Sequence, residues 1–177
     1  MPKPVKDKLT PQGKKFFEEI KKLCAMEVQI GFTVDKSGFD ESHSPVDASD
    51  YDEGPTVAEV AAWNEFGTRS SDGSERIPSR PFMRQSIDNN SSVISAMSET
   101  QLKLIAEGKT TADEAMRAIG ALQVGLIQHE IRDGGFVENS KETKKRKGGS
   151  ETAQTTPLID TGRLRQSAHY NVKSREG

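Results

Sequence analysis

The sequence predicts an α+β fold, a small antiparallel sheet packed against several helices, with two long polar loop insertions. Three observations predict it. Four segments carry apolar residues at three- and four-residue spacing, the period of a helix with one buried face. Only two segments alternate apolar and polar residues, and they lie far apart in the chain. Two further stretches, 35–55 and 134–156, follow neither period. The 177 residues read as one domain spanning 1–177, long enough to bury a core.

Each element has its own signal. Residues 10–25 form an amphipathic helix, with Thr10 as its cap and Pro11 at the first position. Phe16, Phe17, Ile20, Leu23 and Cys24 share its apolar face, which makes Cys24 a buried structural thiol. The period changes at Glu27, and Val28, Ile30, Phe32 and Val34 then alternate as a half-buried strand. Thr56 and Glu59 form a capping box for a helix with Val57, Val60, Ala61 and Asn64 on one face. Gly67 stops that helix, and the turn SSDGSE leads to an extended segment fixed by Pro78 and Pro81.

Residues 82–107 form a helix with a thin stripe of Met83, Ile87, Ile94, Met97 and Ile105. Thr110 or Thr111 caps a stronger helix that runs to about Arg132 and buries Ala112, Ala115, Met116, Ile119, Leu122, Leu126, Ile127 and Ile131. Gly120 and Gly125 cost helix propensity and are expected to let another element approach closely. Asp160 caps a short turn over 161–166. A closing strand follows, with Ala168, Tyr170 and Val172 alternating, and it is expected to pair with the first strand. Such a small sheet keeps exposed edges, which invite pairing with another chain.

The charge is unevenly spread. The formal net charge is −2, but residues 35–55 hold seven acids and one lysine, a net −6. KETKKRK at 141–147 carries a net +4 at the tip of the second insertion. Loops of this length in a compact domain are uncommon and usually functional or disordered. Charged insertions of opposite sign can reach neighbours in an assembly, so Asp40, Glu41, Asp50, Asp52, Lys141, Lys144, Lys145, Arg146 and Lys147 are candidate interface residues.

The same sequence excludes several classes. No stretch approaches the roughly 18 apolar residues of a membrane span, so no membrane partner is expected. The basic start, MPKPVKDKLTPQGKK, is not followed by the apolar region of a secretory signal. The single cysteine forms no internal disulfide and no cysteine-based zinc site. His43, His129 and His169 have no ligand spacing, and the position that would complete a zinc-protease pattern after His129-Glu130 is Asp133. Asp50 to Gly54 departs from a calcium loop, because glycine is fifth rather than sixth and Ala61 stands at the twelfth position. No glycine-rich phosphate motif, acid pair or nucleophile triad emerges, so neither a cofactor nor an enzymatic activity is expected. KETKKRK supports a second reading, a sequence-independent DNA-binding module whose affinity would fall steeply with salt.

Three blocks carry a resemblance. They are Val57-Ala58 through Asn64-Glu65-Phe66-Gly67-Thr68, then Ile77-Pro78-Ser79-Arg80-Pro81-Phe82-Met83, then Pro157-Leu158-Ile159-Asp160-Thr161-Gly162-Arg163-Leu164-Arg165-Gln166-Ser167. In order and spacing they resemble the tail-completion or neck (head–tail joining) protein family of tailed bacteriophages, over about residues 27–173. The 35–55 insertion sets this chain apart from compact members. The resemblance implies a virion structural protein, assembled in the host cytoplasm and forming a ring, commonly a hexamer, at the head–tail junction. Its partners would be the head connector or head-closure protein and the tail tube or terminator proteins. Genomic DNA would pass through the lumen without sequence-specific contact. A terminator role, capping the tail tube, is the neighbouring reading.

Each block has an expected structural task. Phe66 turns inward as an anchor beside Gly67. The prolines set the chain direction while Phe82 enters the core. Asp160 caps the turn, Gly162 permits tight packing, and Leu164 plugs the core.

Overall fold

The computed structural model describes residues 9–32, 55–146, 156–159 and 162–175. In chain order the elements are α1 (Pro11–Cys24), β1 (Met26–Gly31), α2 (Val57–Phe66), β2 (Thr68–Arg69), β3 (Glu75–Ile77), α3 (Phe82–Asp88), α4 (Ser91–Ala106), α5 (Ala112–Asp133), α6 (Lys141–Arg146), α7 (Arg163–Gln166) and β4 (His169–Ser174). The fold is α+β, as the periodicity predicts.

Local chemistry starts the three best-marked helices. Thr10 accepts from the Gly13 N–H at 3.1 Å, with Pro11 at the first helical position. Thr56 with Glu59, and Thr111 with Glu114, form complete capping boxes in which threonine and glutamate satisfy each other's backbone N–H groups. In both boxes these hydrogen bonds hold the glutamate below the usual carboxylate range.

The strands β1 and β4 pair antiparallel, from Met26 opposite Ser174 to Gly31 opposite His169. Helix α5 lies against both and also contacts α1, α3, α4 and α7, so it is the hub of the fold. Ala61, Phe82, Ile127, Ile131, Leu164 and Ala168 form the buried core, with Ile30, Phe32, Val57 and Leu158 among the side chains packed on it. Phe82 is 0% exposed and meets Phe32 edge-on, with ring centroids 5.9 Å apart. Burying a phenylalanine of this kind is worth roughly 2–3 kcal/mol in apolar transfer.

One glycine sets how closely the sheet sits on α5. A Cβ on Gly120 would lie 2.5 Å from the Tyr170 ring, so only glycine lets β4 lie so near. Gly125 meets open space instead, and the close approach expected there is absent.

Several expectations change. Residues 82–107 are two helices, because Asn89 and Asn90 interrupt the run and redirect the chain. Ile87, expected in the stripe, is exposed. The SSDGSE turn closes a small hairpin, β2 on β3, with Asp72 accepting from Ser74 at its tip. On α1, Phe17 and Cys24 are exposed, so Cys24 is not a buried thiol. The apolar stripe of α1 is wider than the contact it makes with its described neighbours. Helix α7 starts at Arg163 with Gly162 at its cap, later than the 161–166 turn expected from Asp160. Gly162 serves by conformation rather than close packing, with φ of 82° and a nearest atom 3.7 Å from a built Cβ. Asp160 and Thr161 lie outside the described residues.

Candidate interface: a polar clasp at the base of the basic segment

The first two sequence blocks fold onto each other. Gly67 ends α2 with a φ of 73°, a left-handed value that favours glycine. Its backbone runs against the second block so tightly that a Cβ would lie 2.9 Å from the Ile77 carbonyl and 3.0 Å from the Ser79 nitrogen. The Arg80 N–H donates to the Asn64 carbonyl at 2.6 Å, and the Ser79 hydroxyl donates to the Glu65 carbonyl at 2.8 Å. Pro78 and Pro81 are half-buried along this segment.

Glu65 is 4% exposed and reaches across to α3. Pro81 occupies the cap of α3 and supplies no side-chain bond. The Glu65 carboxylate takes over that task, accepting from the Met83 N–H at 2.9 Å and the Arg84 N–H at 3.3 Å. A negative group there also suits the positive end of the helix. The Arg84 side chain completes the arrangement with Nε donating at 2.9 Å.

Arg80 is 5% exposed and has no carboxylate in ion-pair contact among the described residues. Neutral oxygens hold it instead. Its Nη1 donates to Asn64 Oδ1 at 2.9 Å, its Nε to the Val137 carbonyl at 2.9 Å, and its Nη2 to the Glu138 carbonyl at 3.3 Å and Asn139 Oδ1 at 3.2 Å. Burial pulls the guanidinium below its ordinary pKa, opposed by the charge of Glu75. It stays protonated nonetheless, because arginine does not lose its proton in proteins. The fork geometry of arginine suits these spread acceptors in a way a lysine could not match.

The chain beyond α5 is therefore not a free loop from its start, as the composition of 134–156 suggested. Residues 137–139 are docked by Arg80. Asn139 Nδ2 donates to the Thr156 carbonyl at 3.4 Å, so the two ends of the basic excursion meet at one point. Ser140 then caps α6, accepting from the Thr143 N–H at 3.2 Å. Lys144 pairs with Glu138, which lowers the Glu138 pKa through that hydrogen bond first and its charge second.

The predicted site residues thus divide. Asn64, Glu65, Gly67, Arg80 and Phe82 come together, and Leu164 joins Phe82 in the same core. Ser167 stays local, its hydroxyl donating to the Arg163 carbonyl at 2.7 Å. Phe66 contradicts the expectation of an inward anchor. It is 71% exposed, with the Arg84 guanidinium 5.5 Å from its ring centroid. It follows the buried Glu65 on the last turn of α2, so burying the carboxylate turns the ring out. Trp63 and Val137 are also exposed in this part of the fold.

Of the candidate interface residues, Lys141 and Lys144 lie on α6, and Lys145 and Arg146 complete its backbone. Asp40, Glu41, Asp50, Asp52 and Lys147 lie outside the described residues, as does the calcium-like stretch.

Four polar residues that carry long-range contacts have no local sequence signal. Glu19, Arg84, Glu130 and Asn139 all work across long separations. Glu19 is buried and accepts from the Ala112 N–H at 2.8 Å. Glu130 is buried and accepts from Asn89 at 3.0 Å. No cluster of His, Cys, Asp and Glu able to hold a metal occurs among the described residues. No described helix is long and apolar enough to cross a membrane. The chain matches no protein-family model, no curated protein and no solved structure.

Proposed function

We propose that this chain is a ring-forming structural adaptor of the neck or tail-completion type, joining the head and tail of a tailed bacteriophage. The observation that carries the reading is the convergence of the three resembling blocks. Asn64, Glu65, Gly67, Arg80 and Phe82 interlock by hydrogen bonds and packing, and Leu164 of the third block closes the same core. Every one of these residues has an architectural task, which is the kind of task the resemblance implies.

Two further features support it. The sheet of β1 and β4 has two strands, so each strand has an outer edge without a strand partner among the described residues. Such edges are templates for pairing between copies. The basic helix α6 also follows directly on the residues held by Arg80 and suits contact with an acidic neighbour or the next ring.

Native mass spectrometry and negative-stain imaging of the purified full chain test the reading. Closed rings of identical subunits, six by the family resemblance, are the expected result. A protein that stays monomeric across the accessible concentration range overturns it. Steep, salt-sensitive binding of duplex DNA by such a monomer would favour the DNA-binding module instead.

A further inference from the structure

We infer that Arg80 is a positioning residue that fixes where the basic segment leaves the body of the protein. The guanidinium joins two parts of the chain, α2 and residues 137–139. It bonds Asn64 on α2, the carbonyls of Val137 and Glu138, and the Asn139 side chain. Asn139 in turn bonds the Thr156 carbonyl, which pins the two ends of the excursion together. Ser140 caps α6 directly after this point, and Lys144 pairs back to Glu138. The basic helix therefore starts from a collar that is continuous with the motif helices.

Its energetics favour this role over a purely structural one. A buried arginine with only neutral acceptors forgoes the Coulombic gain of an ion pair, and a buried apolar side chain would avoid its desolvation altogether. What the arginine supplies is directional reach, since one planar group gathers two backbone carbonyls and two side-chain amide oxygens. A helix whose start is held in advance loses less conformational freedom when a partner binds it. The collar belongs to the single subunit, so its test does not depend on ring formation.

Limited trypsin digestion of the full chain reads the collar directly. The basic segment offers cleavage after Lys141, Lys144, Lys145, Arg146 and Lys147. In R80K, which keeps the charge but not the fork, cleavage within this segment should rise on the order of tenfold. N139A, which removes one of the Arg80 bonds and the bond to the Thr156 carbonyl, should accelerate cleavage in the same direction. Amide exchange within α5 should stay at the parent level in N139A. Unchanged cleavage in N139A overturns the inference. So does acceleration matched by equal loss of protection in α5, because that is general destabilisation. Should R80K fail to fold, the half-buried Asn139 decides alone.

Discussion

Glu19 and Glu65 sit in different parts of the molecule and perform one task under different conditions. Each is a buried carboxylate that accepts a backbone N–H at the start of a helix elsewhere in the chain. Glu19, on α1, reaches the first residue of α5, which already has the complete capping box of Thr111 and Glu114. Its other oxygen is held by Lys22 at 2.8 Å, on its own helix. Glu65 serves α3, which begins after a proline and has no side-chain cap of its own. A distant carboxylate is therefore a supplement where the local sequence provides a cap, and the cap itself where it does not.

The contrast can be broken first at its strong end. E65A leaves the Met83 and Arg84 N–H groups without an acceptor and should cost about 3 kcal/mol in denaturant unfolding. Glu19 serves one such group, the Ala112 N–H, against two for Glu65, so E19A should lower the midpoint less. Equal losses would mean that local capping does not govern the difference. R84M then separates charge from capping. Arg84 is largely exposed, so the loss should be about 1 kcal/mol or less. A loss as large as that of E65A would place the energy in the ion pair rather than in the helix end.

A smaller effect sharpens the weak end. T111A alone should cost about 1 kcal/mol. In a T111A background, E19A should cost more than in the parent, because the supplement becomes the main cap. Strict additivity in the double-mutant cycle would show two independent contributions. The smallest effect is on pH. The Ala112 N–H first, and Lys22 second, hold Glu19 below the usual carboxylate range. A depressed folded pKa contributes stability above the unfolded value and loses it as pH falls through the folded value. The gap between parent and E19Q should thus be full at neutral pH and close progressively below the ordinary glutamate pKa. A gap that widens on acidification would reverse the assignment.

What the sequence made legible was local. Thr10 with Pro11, Thr56 with Glu59, and Thr111 with Glu114 are signals confined to four residues, and all three start helices as expected. The alternation of Val28 and Ile30, and of Tyr170 and Val172, gave both long strands. The β2–β3 hairpin was hidden because strands of two and three residues are too short to show a period. The long-range partners were hidden for a different reason. Ala112 and Glu19 are separated by 93 positions, and Arg80 and Asn139 by 59, so no window of sequence contains both ends. Phe66 was misplaced because hydrophobicity alone suggested an inward ring, while the neighbouring Glu65 had the stronger claim on the interior through its three donors. The geometry of the motif residues comes from long-range contacts that no local pattern prints.

The pairing of β1 with β4 has a consequence for synthesis. Gly31 finds its partner only in His169, so nearly all the intervening chain must be made before the sheet can close. At ribosomal speeds of about 5–20 residues per second, that delay is roughly 10 s. Throughout it Val28, Ile30 and Phe32 have no partner strand, and the helices must form around an incomplete hub. Slow, late closure of long-range strand pairs leaves a nascent chain open to aggregation. Cotranslational crowding by sister chains, or a chaperone that shields the first strand, would then govern how much of this protein reaches its folded form.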